Sequence, residues 1–243
     1  MSNEEIRTKL TIVTKNSRNK WKVMYNNKKG DIFNGLFGIV EEAVVKNIHM
    51  KDCYIQCDDE NPKQLLNGFA TYGFVCGIAR NSTFTNCTVS GSFMKFNAIV
   101  YANIGGIVGQ VKGGIVTRIS NCAFDGNFKY SVPNDTEVSG YNIGGIVGEQ
   151  TSEEKLFSSL QSTLHINNCS SSGSVEAYGN DVTNTDYVYI GGIGASLTKG
   201  TISNCVSSMN IAVNTTNLFL ECLVGGISCA YSNSAEIAVY NCA

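Results

Sequence analysis

The sequence predicts an all-β chain, wound as a single parallel β-helix or β-solenoid of about six coils, with an N-terminal cap and one short helical insertion. Three observations carry that prediction. The first is a repeated phrase: a small-residue pair and an Ile, a variable stretch, then Asn-Cys or a near equivalent. Its clearest copies run from Asn103 to Gly109 and on to Ile119-Ser120-Asn121-Cys122, from Asn142 to Gly148 and on to Ile166-Asn167-Asn168-Cys169, and from Tyr189 to Gly194 and on to Ile202-Ser203-Asn204-Cys205. Val224-Gly225-Gly226-Ile227 leads likewise to Tyr240-Asn241-Cys242. Weaker copies come earlier, Phe37-Gly38-Ile39-Val40 with Asp52-Cys53 and Cys76-Gly77-Ile78-Ala79 with Asn86-Cys87. The repeated cysteines are 34, 35, 47, 36 and 37 residues apart, and a period of that size marks stacked supersecondary units. The second observation is composition: 25 glycines against two prolines, 43% hydrophobic and 16% charged residues, which suits many short strands and tight corners and not a disordered chain or a helical bundle. The third is alternation after the cysteine, as in Thr88 to Phe93, Ala123 to Phe128 and Ser174 to Tyr178, the mark of a strand with one buried face.

Residues 1–33 stand outside the repeat and form the expected cap. Leu10-Thr11-Ile12-Val13 and Lys20-Trp21-Lys22-Val23-Met24-Tyr25 read as strands, and a cap over the first coil protects an edge that otherwise invites association. Arg7, Lys9, Lys15, Arg18, Lys20, Lys22, Lys28 and Lys29 face only Glu4 and Glu5 over residues 1–29, a net of +6; the remaining ten basic and eighteen acidic residues give -8. Those eight cations are the candidate interaction residues, suited to an acidic partner or to the acidic body of another copy.

Residues 34–243 form the solenoid. Strand, corner, strand, corner, strand and a return of variable length make one coil, and stacking pairs each strand in parallel with its equivalent in the next. Columns of Ile, Cys and Val or Phe then fill the interior, whose burial at about 25 cal/mol per Å² is the main stabilising term. The glycine pairs Gly105-Gly106, Gly144-Gly145, Gly191-Gly192 and Gly225-Gly226 are structural positions, serving either a left-handed corner or a close approach that excludes a Cβ. They lack the Gly-Lys-Ser/Thr of a phosphate loop. Cys53, Cys87, Cys122, Cys169, Cys205 and Cys242 read as a ladder of buried free thiols, since rungs about 4.8 Å apart exceed the Cβ separation of about 3.8 Å that a disulfide prefers. Cys53 and Cys57 are four apart, but no second pair accompanies them and His49 and His165 stand alone, so neither a metal nor another cofactor is expected. The Asn before each cysteine is placed to bond locally to the backbone or to ladder between coils.

The longest step holds Thr151-Ser152-Glu153-Glu154 ahead of Leu156, Phe157, Leu160 and Leu164. A capping box before an apolar stripe at helical spacing predicts a short helix over 152–163 on the flank of the solenoid. Residues 58–63, 131–136 and 179–184 are polar returns, and the acidic 58–60 run lacks the spaced ligands of a calcium loop. The last coil is expected to present an open edge. Met1-Ser2-Asn3-Glu4-Glu5 does not start a secretory signal and no apolar run is long enough to span a bilayer. The expected location is cytoplasmic, or the cell surface or exterior if a leader has been removed.

With Gly106-Ile107-Val108-Gly109, Gly145-Ile146-Val147-Gly148 and Gly35-Leu36-Phe37-Gly38, the chain resembles proteins carrying the GLUG motif, glycine-rich repeats of bacterial surface proteins, some peptidases and protist proteins. Gly192-Ile193-Gly194 is one residue short and Gly226-Ile227-Ser228 loses the final glycine. The resemblance covers residues 34–243. It implies a parallel β-solenoid and, more loosely, adhesion or display; the motif is not catalytic, so it supplies no catalytic residue.

The leading functional expectation is a non-enzymatic structural or protein-binding solenoid that assembles through its basic head, its flank or its last coil, with a protein partner or a second copy. The alternative is an adhesin or carbohydrate-binding module using Tyr130, Tyr141, Tyr178, Tyr187 and Tyr189 as exposed aromatic residues, although Tyr is usually intermediate in burial. A polysaccharide lyase or hydrolase ranks third, because its chemistry needs carboxylates held across one groove and here they are scattered. An ice-binding face fails for want of a regular Thr column. Neither nucleic-acid binding nor membrane insertion is expected.

Overall fold

A computed structural model of the chain describes residues 11–12, 20–22, 32–58, 69–97, 101–132, 138–151, 153–155, 158–160, 162–179, 185–215, 221–229 and 235–243. Two short strands come first, β1 (Thr11–Ile12) and β2 (Lys20–Lys22). Coil 1 follows as β3 (Ile32–Asn34), β4 (Phe37–Glu41), β5 (Val44–Lys46), β6 (His49–Lys51) and β7 (Tyr54–Asp58). Coil 2 is β8 (Phe69–Gly73), β9 (Cys76–Arg80), β10 (Thr83–Thr85) and β11 (Thr88–Asn97), and coil 3 is β12 (Tyr101–Gly105), β13 (Val108–Lys112), β14 (Val116–Ser120) and β15 (Ala123–Val132). Coil 4 comprises β16 (Val138–Gly144), β17 (Val147–Thr151), an inserted pair β18 (Glu153–Lys155) and β19 (Ser158–Leu160), then β20 (Thr163–Asn167) and β21 (Ser170–Gly179). Coil 5 is β22 (Thr185–Gly191), β23 (Gly194–Ser196), β24 (Lys199–Ser203) and β25 (Val206–Thr215); coil 6 is β26 (Glu221–Gly225), β27 (Ser228–Cys229) and β28 (Glu236–Tyr240).

Equivalent strands stack into four parallel faces. The first holds β3, β8, β12, β16, β22 and β26, the second β4, β9, β13, β17, β23 and β27, and the third β5, β10, β14, β20, β24 and β28. The fourth runs β6, β11, β15, β21, β25, with β7 beside β11 and with β1 and β2 added in parallel on β6 and β7. Both added strands fall within the segments, residues 10–13 and 20–25, that the sequence reads as strands. The molecule is therefore a parallel β-helix, and its register is strict: Ile104 pairs with Ile143, Ile143 with Ile190 and Ile190 with Val224. Ile104, Ile143 and Ile190 join the apolar core.

Corners follow from residue chemistry. Gly105 and Gly106 turn the chain from the first face to the second, and neither has positive φ. A Cβ on Gly105 would strike the Val108 carbonyl oxygen, and one on Gly106 the Gly145 carbonyl oxygen and the Phe124 ring, so close approach is the reason for the pair. The left-handed corner belongs instead to asparagine. Asn47, Asn86, Asn121, Asn168, Asn204 and Asn241 sit at φ of 58°, 53°, 53°, 51°, 52° and 52° between the third and fourth faces, a region that Asn tolerates better than other side-chain-bearing residues. Amide pairs tie some of these corners together, Asn86 Nδ2 to Asn47 Oδ1 at 2.7 Å and Asn168 Nδ2 to Asn121 Oδ1 at 2.6 Å.

Three expectations are corrected. Cys53 is not the first rung of the cysteine ladder: β10 pairs with Val44–Lys46, which stacks Asn86 on Asn47 and sets Cys87 over Ile48. Cys53 lies instead against Ser92, whose Oγ accepts its N–H at 3.1 Å; Asp52, at φ 53°, makes a second left-handed corner that imitates the signature. The glycine slot of coil 2 is likewise Gly73, paired with Gly105, and Cys76-Gly77-Ile78 belongs to the following strand, where Cys76 pairs with Val108. Finally, the helix expected over 152–163 is absent: β18 and β19 form an antiparallel hairpin, Glu153 opposite Leu160 and Lys155 opposite Ser158. Leu164, the last member of the apolar stripe, is buried in β20 opposite Thr117, and the segment left over is too short to hold a helix on its own.

Candidate functional site

Sequence signals point to the basic head, the thiol ladder and the last coil. Of the head cations, Arg7, Lys9, Lys15, Arg18, Lys28 and Lys29 lie outside the described residues; Lys20 and Lys22 fall on β2. In the ladder, Cys87, Cys122, Cys169 and Cys205 are buried and Cys242 is half-buried, all as free thiols. Hydrogen bonds to Cys169 and then burial push the Cys205 thiol up, whereas Cys169 is pulled down as the acceptor for Cys122 and Cys205. Away from the column, burial pushes Cys229 up to about 12.

Coil 6 differs from the interior coils. Val224 is 51% exposed and Val239 49%, although their column mates Ile190 and Ile202 are buried. Tyr240 and Val206 are also half exposed. Nothing among the described residues lies over this coil.

The structure also brings together a site that the sequence reading missed. The first and second faces run back along each other behind the glycine corner, so close that a Cβ on Gly148 would sit 2.6 Å from the Ile104 nitrogen and one on Gly109 2.7 Å from the Tyr72 carbonyl oxygen. Along β12 the residues facing this seam grow with distance from the corner, Gly105, Asn103, Tyr101; along β22 they run Gly191, Tyr189, Tyr187. Glu149 reaches into the seam from β17 and is 6% exposed. Its Oε1 accepts the Tyr101 hydroxyl at 2.6 Å, and its Oε2 accepts Asn103 Nδ2 at 2.7 Å and Gln110 Nε2 at 2.5 Å. Asn142 Nδ2 donates in turn to Asn103 Oδ1 at 2.8 Å, so two amides point in series at the carboxylate. Beyond them Tyr187 meets Tyr101 edge-on and stacks on Tyr189 with centroids 4.7 Å apart, and the Tyr189 hydroxyl donates to Glu221 at 2.8 Å.

Burial raises the pKa of Glu149, opposed by the Tyr101, Gln110 and Asn103 donors and by Lys112. A buried carboxylate without a buried cation is costly unless its hydrogen bonds are complete or it takes up a proton. Burial shifts the Glu149 equilibrium toward the protonated carboxyl; a glycosidase pair across a groove is a different arrangement. Among the described residues no three or more His, Cys, Asp or Glu converge as a metal site.

The next residue points elsewhere. Gln150 Nε2 donates to the Ser162 carbonyl at 2.5 Å and to the Lys199 carbonyl at 2.8 Å, while its Oε1 accepts the N–H groups of Thr198 at 3.2 Å and Lys199 at 3.1 Å. It clamps the base of the inserted hairpin to coil 5. Gln110 and Glu149 share one rung of the second face, and polar residues at matching places of β13 and β17 were the available signal.

The tyrosines expected on the surface are mostly inside. Tyr130 and Tyr141 are buried with ring centroids 4.1 Å apart, Tyr189 is buried in the seam, and Tyr178 and Tyr187 are half-buried. The rings of Tyr130, Tyr141, Tyr187 and Tyr189 fill positions that β15, β16 and β22 turn inward or into the seam, while Tyr178 lies on β21 under Lys129.

Fold and seam together define a parallel β-solenoid in which Glu149 is the buried carboxylate among the described residues. No protein-family model, curated protein or solved structure matches the chain. Among the described residues no helix is long and apolar enough to cross a membrane.

Proposed function

We propose that the chain is a non-enzymatic structural solenoid that joins end to end with copies of itself, the basic head of one meeting the last coil of the next. The observation that carries this reading is coil 6, whose strand edges and half-exposed column residues Val224 and Val239 offer a template for another parallel layer. Charge favours the same pairing: from residue 200 onward the chain holds Glu221 and Glu236 and no Lys or Arg, against +6 in residues 1–29. A head-to-tail contact of this kind is heterologous and propagates as a filament unless it closes into a ring. The likeness of Gly106–Gly109 and Gly145–Gly148 to GLUG repeats of displayed proteins agrees with an architectural role.

The test is molar mass by light scattering over a wide concentration range, at low and high salt. Mass should grow with concentration, fall as salt screens the head, and fall again in Lys20→Glu/Lys22→Glu. A chain that stays monomeric throughout and binds glycans on an array overturns this reading in favour of the binding module. Association that ignores both salt and charge reversal removes the head from it.

A further inference from the structure

The cysteine column serves no purpose in end-to-end assembly, yet its chemistry is specific. Five thiols, Cys87, Cys122, Cys169, Cys205 and Cys242, follow one another through coils 2 to 6, with Ile48 closing the column in coil 1. The residues that follow the thiols pair in strict register, Thr88 with Ala123, Ala123 with Ser170 and Ser170 with Val206, so Cys87, Cys122, Cys169 and Cys205 occupy successive rungs. Backbone donors already aim at two of the sulfurs: Cys169 N–H at Cys205 Sγ and Cys205 N–H at Cys242 Sγ, each at 3.4 Å.

Rung spacing decides which chemistry fits. Parallel strands repeat at about 4.8 Å, too long for a relaxed disulfide. Two metal–thiolate bonds of about 2.3 Å laid end to end span about 4.6 Å, which matches the step. Because no three ligands converge among the described residues, the ladder does not offer a tetrahedral zinc site. Thiolates select soft ions such as Cu(I), and a closed-shell monovalent ion of that kind accepts two sulfurs in line.

We propose that adjacent rungs of the ladder bind a soft monovalent cation, Cu(I) or Ag(I), as a linear bis-thiolate between two coils. Binding exchanges two thiol protons for one ion, Cu⁺ + 2 RSH giving [Cu(SR)₂]⁻ + 2 H⁺, with no change of oxidation state. The remaining negative charge is spread over two polarisable sulfurs and met by the backbone N–H groups that point at them. Since each sulfur serves one ion, five rungs hold two ions. Entry needs no standing channel, because local opening of strands exposes buried groups. The site is independent of end-to-end assembly, and either proposal stands if the other fails.

The number of sites should follow adjacency and not the number of thiols. Anaerobic Cu(I) titration against a chromogenic chelator, on a Cys57→Ser/Cys222→Ser background that removes the exposed Cys222 and the Cys57 of the coil 1 strand β7, should give two tight sites. Cys122→Val/Cys205→Val leaves three rungs but no adjacent pair and should give none. Cys87→Val/Cys242→Val removes as many thiols, leaves Cys122, Cys169 and Cys205 in sequence, and should give one. Equal losses in the two double variants overturn the proposal, as does full binding in the first. Circular dichroism checks that each variant folds. If one does not, X-ray absorption on the copper-loaded parent decides: two sulfur ligands per copper are required, and three or four sulfurs, or nitrogen or oxygen ligands, overturn the site.

Discussion

Glu149 and Gln150 are consecutive, both buried and both polar, and they do opposite work. Gln150 satisfies main-chain groups of two other segments, Ser162 on one side and Thr198 and Lys199 on the other. Glu149 is satisfied by side chains alone, from Tyr101, Asn103 and Gln110. An amide brings a donor and an acceptor and no charge, so burying it costs little once both are paired. A carboxylate brings only acceptors and a charge, so the same burial links the fold to pH. The contrast separates a fastener from a sensor within one strand.

The strongest way to break both at once is Gly148→Val. Its Cβ would meet the Ile104 backbone at 2.6 Å and force apart the two faces that enclose Glu149. We expect a loss of more than about 4 kcal/mol, the range of severe core disruption, read as insoluble protein or a collapsed urea midpoint. Gln150→Leu comes next. It leaves two backbone N–H and two carbonyl groups without this partner, and a loss of about 3 kcal/mol in chemical denaturation should be the same at every pH. A loss confined to one end of the pH range would mean that Gln150 shares the role of its neighbour.

Glu149→Gln tests the other half. Because the folded pKa of Glu149 is raised above its unfolded value of about 4.3, the native state holds the proton more tightly than the unfolded chain. That contribution to stability is fully present below the unfolded pKa and is lost as pH rises through the folded one. The glutamine can accept Asn103 and Gln110 with its oxygen and offer its amide to the Tyr101 oxygen. Thermal melts should therefore show the variant gaining on the parent as pH rises from acid to neutral; a constant difference between the two removes the pH link. The smallest effect is expected where an amide pair is exposed. Asn168→Ala loses its bond to Asn121 and keeps a left-handed corner, at about 1 kcal/mol, whereas Asn168→Gly should be nearly neutral.

Much of the architecture was legible because the repeat writes each corner with a residue of one physical meaning. Gly105-Gly106 reports a backbone contact and Asn121 a left-handed turn, and both return in later coils. Misreadings came where a second residue met the same requirement. Asp52 turns left-handed just as Asn47 does, and it precedes a cysteine, so the sequence places the corner of coil 1 five residues late, while its true rung carries Ile48. The helix expected at 152–163 relied on Leu164, whose place in the third face is set by pairing with coils on either side, which spacing along the chain does not report. Glu149 escaped because its partners come from positions 39 to 48 residues earlier. Only the stacking of coil 4 on coil 3 brings Gln110 and Glu149 onto one rung.

Strict parallel register also makes the coil a unit of length. Each turn adds about 4.8 Å to the axis, so the first and sixth coils are separated by about 24 Å, five such steps. On the first face the joint between coils 4 and 5 has the same register as that between coils 5 and 6, Ile190 being flanked by Ile143 on one side and Val224 on the other. The molecule is in this sense a ruler graduated in whole turns, whose reach changes by excising or duplicating one coil without redesigning its neighbours.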